Sequence, residues 1–324
     1  MFLRLFRTQY SFQLILLLIM GILLWLPAFL HPLPIPTALT PIPIFEKLVA
    51  PLRAHLLAAT LIAFFMLLSE SLVLSLILSA NDLAPKSSGM AAIIFFLLSS
   101  WQTETLSLHP VLFSNIFFII FLNYFLKVYE QADPFKEVFS AAFSLSLACV
   151  FTFQAFPVLI VIWIGFFIYR ALNWREWIIS IVGFLLPFLF AGTWYFWNDN
   201  LDYFTTDLFS RFHVPSMHVK ISILSGVIWA AIAFLSLAAL FRTLTIIREK
   251  VISIRKNFIF ITWFFILSLL VMLNVKTEFA FITMIPIMPA SVLIAYHFTT
   301  LKKTLWWDIY FSILIFLIFI AHIS

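Results

Sequence analysis

The sequence predicts an all-α integral membrane protein, and three observations lead there. Of the 324 residues, 64% are hydrophobic and only 10% are charged, with a mean hydropathy of +1.12; ordinary soluble domains carry about 25% charge. The apolar residues fall into runs near the ~20 residues that carry a helix across a ~30 Å hydrocarbon core. Those runs are apolar on every side, without the alternation of a lipid-facing barrel, and a backbone in lipid must bond within its own segment. The polar intervals between runs are too short to fold unaided, so residues 1–324 read as a single polytopic transmembrane domain.

Taken in order, residues 11–30 form the first expected span. Arg4 and Arg7 ahead of it resemble a secretory leader, but the run continues to Leu30 and PAFLHPLPIP lacks a small-x-small cleavage pattern, which favours a retained span. A proline-rich loop leads to the second span, 55–79. Met90 to Ser100 is short for a crossing and follows a corner at Pro85 to Gly89. The fourth span is 110–127. Glu137 to Tyr169 divides near Pro157, giving two helices joined by a tight turn at Gln154-Ala155-Phe156-Pro157. Spans at 177–197, 220–243, 257–273, 280–297 and 305–322 bring the expectation to about eleven transmembrane helices.

Charge orients them. With the N-terminus cytoplasmic, the inner segments receive Arg4, Arg7, Lys86, Lys127, Lys136, Arg170, Arg175, the five basic residues from Arg242 to Lys256, and Lys302 and Lys303. That leaves Lys47, Arg53, Arg211, Lys220 and Lys276 outside, an asymmetry that fits the positive-inside rule and a C-terminus across the membrane. The segment LNWREWII, residues 172–179, then sits at a cytoplasmic turn, its arginine anchoring a helix end and Trp174 and Trp177 in the headgroup layer. The net charge of +5 is scattered over short loops and forms no nucleic-acid surface. The single cysteine, Cys149, excludes an intrachain disulfide and a cysteine-rich metal site.

The stretch NWREWIISIVGFLLPFLFAGTWYF, with Gly183 and Pro187, resembles part of a domain-of-unknown-function family of Bacteroidota inner-membrane proteins, a similarity extending over about the first 200 residues. The order of elements is also similar to that of GT-C membrane glycosyltransferases: a cytoplasmic N-terminus, a substantial first outer loop, the proline-marked LHPVLFSNIFFIIF, and a hairpin broken near its outer tip. The resemblance implies a bacterial inner-membrane envelope protein with a GT-C-like helical core, acting on or binding a polyprenyl-phosphate-linked sugar on the outer face. It also implies an acidic residue or pair in the first outer loop; here HPLPIPTALTPIPIFEKLVAPLRAH holds Glu46 as its only carboxylate.

Buried or interfacial polar groups mark where chemistry would sit, because unpaired burial is costly. For sugar transfer, Glu46 and Glu104 are the candidate catalytic carboxylates, as general base or as ligands of a divalent cation. Arg53 and Lys276 are suited to a departing phosphate, with His55, Gln102, His109 and Gln154 as further substrate contacts. Each also reads as ordinary solvated loop polarity. Glu70, within FFMLLSESLVLSL, is an intramembrane carboxylate that can bind a proton or cation in a transporter, or act as glue through Asn123 of the fourth helix. His213 and His218 are five apart across Pro215, unlike the i, i+4 pair of a zinc helix, so no metal site is assigned. The run from Arg242 to Asn257 places Ile246, Ile247, Val251 and Ile254 at helical spacings and suits the anionic inner leaflet. Membrane lipid and membrane-protein partners are therefore expected, and a non-catalytic subunit stands beside the enzyme reading.

Overall fold

A computed structural model describes residues 10–36, 43–85, 88–131, 133–169, 173–199, 222–272, 279–301 and 305–323. Every regular element among them is helical. In chain order these are α1 (Tyr10–Leu30), α2 (Pro43–Val49), α3 (Leu56–Ala80), α4 (Met90–Ser99), α5 (Pro110–Lys127), α6 (Phe135–Phe151) and α7 (Ile160–Tyr169). There follow α8 (Trp174–Trp197), α9 (Ile223–Ile246), α10 (Ile252–Val271), α11 (Phe279–Ile282), α12 (Met284–Thr300) and α13 (Leu305–Ile323), with 3₁₀ turns at several joints. Among the described residues eight helical segments reach the length and apolarity needed to cross a membrane: α1, α3, α5, α8, α9, α10, the α11–α12 pair and α13. The chain is thus an all-α, multi-pass membrane protein. The remaining three of the eleven expected spans are helical but shorter; α4 has 10 residues and α6 has 17, and Phe153–Tyr169 is likewise short.

The bilayer leaves its mark on α8. Trp174 and Trp197, at its two ends, are 68% and 84% exposed, and the 1.5 Å rise per residue sets them about 34 Å apart. That separation matches two aromatic belts flanking a hydrocarbon core. The LNWREWII turn supplies the start: the Asn173 side chain accepts a hydrogen bond from the Arg175 backbone N–H at 3.2 Å, and the Arg175 guanidinium lies 5.8 Å from the Trp174 ring. Glu176 is buried in the first turn, where the helix dipole favours a negative charge.

Inside the bundle, α12 is the central shaft, its apolar window wholly buried, packed against α4, α9 and α10. Every residue of α4 is buried as well. It runs alongside α1, where a Cβ on Gly21 would meet Phe96 at 3.0 Å, and Trp25 Nε1 donates to Ser100 Oγ at 3.0 Å. Helices α5 and α6 pair closely, joined by Ser114 Oγ, which donates to the Ala148 carbonyl at 2.9 Å and lies 2.6 Å from Thr152 Oγ1. Helix α8 closes on α6 at Gly183, where a Cβ would stand 2.9 Å from the Phe139 carbonyl oxygen.

Three expectations are corrected. The tight turn at Gln154–Pro157 is a 3₁₀ helix over Phe153–Leu159, entered through an extended Thr152. A 3₁₀ turn suits Pro157, which has no N–H to give an α-helical ladder. The basic run from Arg242, whose apolar residues have helical spacings, is not one continuous helix: α9 ends, a 3₁₀ turn spans Ile247–Glu249, and the extended Lys250 precedes α10. Burial of Ile247 and the bond from Arg242 to the Thr300 carbonyl, 2.9 Å, draw this turn onto the bundle. The proline-rich connection between α1 and α3 contains α2 and a 3₁₀ turn over Ala50–Ala54, a structure that its prolines had concealed. At the C-terminal end of α3 the reversal is a Schellman motif, with Leu83 N–H bonded to the Leu78 carbonyl and Asp82 at φ 55° in the left-handed region.

Candidate functional site

The polar residues singled out from the sequence do not converge on one centre. Glu46 lies on α2 and forms an ion pair with Arg53 in the following 3₁₀ turn, so the carboxylate and its supposed phosphate contact are committed to each other. His55 is exposed and caps the start of α3. Glu104 is exposed in the 3₁₀ turn Thr103–Thr105, and among the described residues no hydrogen bond or ion pair links it to Glu46. Lys276, His213 and His218 lie outside the described residues.

A second group gathers between α4 and α11. Thr283 Oγ1 is 3.3 Å from Gln102 Oε1, and the His109 ring lies 4.6 Å from that of Phe281. His109 is fully buried at the start of α5, and burial pushes its imidazole down to about 3, against a smaller opposing influence from the Thr105 backbone. Gln154 stands apart from this group, in the 3₁₀ segment against α10, its Oε1 unbonded. Asn115 of α5 is buried, and among the described residues neither amide atom has a hydrogen-bond partner.

Glu70 sits in the middle of α3 and is 2% exposed. Among the described residues neither of its oxygens has a hydrogen-bond partner, so the expected bond to Asn123 is not made. Serines on either side bond back into their own helix, Ser69 to the Met66 carbonyl and Ser71 to the Leu68 carbonyl, and leave Glu70 without their hydroxyls. Among the described residues no group of three or more His, Cys, Asp or Glu side chains is placed to hold a metal ion.

A concavity among the described residues lies elsewhere, between α2, α6 and α8. It is a groove of about 500 Å³ lined by Phe143, Leu147 and Val150 of α6, by Pro187, Phe190, Ala191, Trp194 and Tyr195 of α8, and by Lys47 and Leu48 of α2. The seven steps from Phe143 to Val150, like those from Pro187 to Trp194, descend about 10 Å along their helices. Its walls are almost entirely apolar, and Phe190 among them is 66% exposed. One charge stands at the mouth: Lys47 Nζ, 4.2 Å from the centroid of the Trp194 ring.

The local sequence explains the mouth. In PIFEKLV, Phe45 and Val49 are spaced one helical turn apart and both are buried, Phe45 edge-on to Phe113 of α5 at 5.7 Å. This anchors α2 on the bundle and turns Lys47 and Leu48 outward. Lys47 entered the sequence reading only through the charge asymmetry and Trp194 only within the quoted stretch, neither as a site residue; the signal was the apolar pair flanking Glu46-Lys47, and the closeness of α2 to α8 is a tertiary fact. A comparison of the chain with protein-family models, with curated proteins and with solved structures gives no match in any of the three.

Proposed function

We propose that the protein binds a polyprenyl-phosphate-linked saccharide at the outer face of a bacterial inner membrane, as a lipid-holding subunit with a GT-C-like core. The observation that carries this reading is the groove between α2, α6 and α8: apolar along its length, with Phe190 exposed in its lining and the cation of Lys47 standing over Trp194. An isoprenoid chain supplies apolar surface for the walls, and its phosphate supplies the charge that an ammonium at the membrane interface attracts. The groove's volume is of the order of ordinary ligand sites, ~300–1,000 Å³, so it takes the head-proximal part of a long chain and leaves the rest in the bilayer.

Binding is favoured over sugar transfer by the state of the carboxylates. Glu46 is tied to Arg53 and is not among the groove-lining side chains, and Glu104 lies on a different turn. A transferase needs a general base within hydrogen-bond reach of an acceptor hydroxyl. The test is binding of polyprenyl phosphate and of polyprenol to the purified protein in neutral-lipid nanodiscs. Tighter binding of the phosphate, abolished in Lys47→Gln, is the expected result; equal binding of the two lipids overturns the reading. Transfer of sugar to an added acceptor, lost in Glu104→Gln, would restore the enzyme.

A further inference from the structure

We infer that Trp194 is the saccharide platform of the groove and that Lys47 covers it until a phosphate draws the lysine away; this rests on the reading of the groove as a polyprenyl-phosphate site. Lys47 Nζ stands over the indole at 4.2 Å. Trp194 lines the groove and is 46% exposed. An ammonium over one face of a ring closes that face to another flat partner.

The lysine is weakly held where it is. Its neighbour Glu46 is engaged by Arg53, so among the described residues Lys47 has no carboxylate partner and rests on a π face. Cation–π attraction at an exposed site is a modest force. A phosphate at the mouth offers a full negative charge and several acceptor oxygens, and charge-assisted hydrogen bonds are the stronger kind. The flexible four-carbon stem of a lysine lets the ammonium swing toward the phosphate while α2 stays anchored by Phe45 and Val49.

The indole face that Lys47 leaves is large, rigid and apolar, with its polar edge free to stay wet. The C–H face of a pyranose ring stacks on such a surface. A sugar joined to the phosphate is delivered to that face at the moment it is uncovered. A free sugar brings no charge to move the lysine and meets that face covered. Trp194 is therefore the specificity-determining residue for the saccharide, and Lys47 recognises the phosphate and controls access to the ring.

The experiment compares polyprenol, polyprenyl phosphate, polyprenyl-phosphate hexose and phosphatidylglycerol, each presented to wild-type protein, Trp194→Ala, Trp194→Phe and Lys47→Gln in neutral-lipid nanodiscs. Wild type is expected to bind the hexose-bearing lipid about tenfold more tightly than polyprenyl phosphate, the upper range for a ring stacking beyond its buried area. Trp194→Ala erases that preference while still favouring polyprenyl phosphate over polyprenol; Trp194→Phe keeps part of it, which separates stacking from a folding defect. Lys47→Gln loses the phosphate preference. Persistence of the full hexose preference in Trp194→Ala overturns the inference and leaves the groove reading intact. Failure of wild type to prefer polyprenyl phosphate over polyprenol removes both, and preference for phosphatidylglycerol over polyprenyl phosphate assigns the groove to bulk anionic lipid instead.

Discussion

Gly165, in the middle of α7, is where the bundle tolerates least. A Cβ built there would lie 2.3 Å from both Cε1 and Cζ of Phe125 and 3.1 Å from Cε2 of Phe260, whereas carbon atoms rest about 3.5–4.0 Å apart. The Phe125 ring cannot swing aside. It is fully buried and stacked on Phe260 at 4.4 Å, with Phe121, Phe166 and Tyr169 around it. Overpacking a tight core costs about 1–3 kcal/mol, and an overlap of more than 1 Å against a boxed ring belongs at the upper end. Replacing glycine by alanine within a helix returns about 1 kcal/mol of propensity. Gly165→Ala is therefore expected to destabilise the protein by about 2 kcal/mol, the clash outweighing the propensity. The lone cysteine gives the assay: Cys149 is buried, so a thiol-reactive dye reports unfolding on heating in detergent. Adding Phe125→Leu should recover part of the loss, with a coupling of about 1 kcal/mol between the two sites. A Gly165→Ala protein that melts at or above wild type, or a Phe125→Leu cost that adds in full, refutes the reasoning.

Trp25→Phe removes the bond to Ser100 and leaves a buried hydroxyl unpaired, a loss of about 1–3 kcal/mol, which the same melting assay reads; Trp25→Phe with Ser100→Ala should be milder than the single change. His109, with its buried imidazole held down to about 3, resists protonation in the fold and accepts it when unfolded, near its usual 6.5. Its contribution to stability is complete above pH 6.5 and is lost as pH falls from there toward 3, so melting curves of His109→Gln should fall less steeply than wild type across that window. Arg53→Ala breaks an ion pair whose side chains are 42% and 34% exposed, so the melting temperature should hardly move, a loss below about 1 kcal/mol. Freeing Glu46 beside Lys47 should instead weaken polyprenyl phosphate binding, since Lys47 gains a competing carboxylate.

What the sequence determined alone was the solvent and the secondary structure. Apolar runs of membrane length must be helices because lipid offers no partner to a backbone N–H or C=O, and α1, α3, α5 and α13 lie within a residue or two of where the runs place them. The sequence also identified the Trp-Arg-Glu-Trp turn as a helix end, because Asn173 and the flanking tryptophans act locally. The candidate site was another matter. Glu46 and Arg53 are seven positions apart and were read as two working groups; α2 and its 3₁₀ turn fold them onto each other. Glu70 and Asn123 were matched by chemistry, but no bond joins them. The groove was invisible, because Lys47 meets Trp194 across nearly half the chain. Hydrophobicity says that a residue is in the membrane; which helix faces which is decided by close packing, by a glycine at position 183 admitting the Phe139 carbonyl and by Phe45 seating α2 on Phe113. In lipid every apolar face is equally at home, so only side-chain shape and a few buried hydroxyls choose among the arrangements.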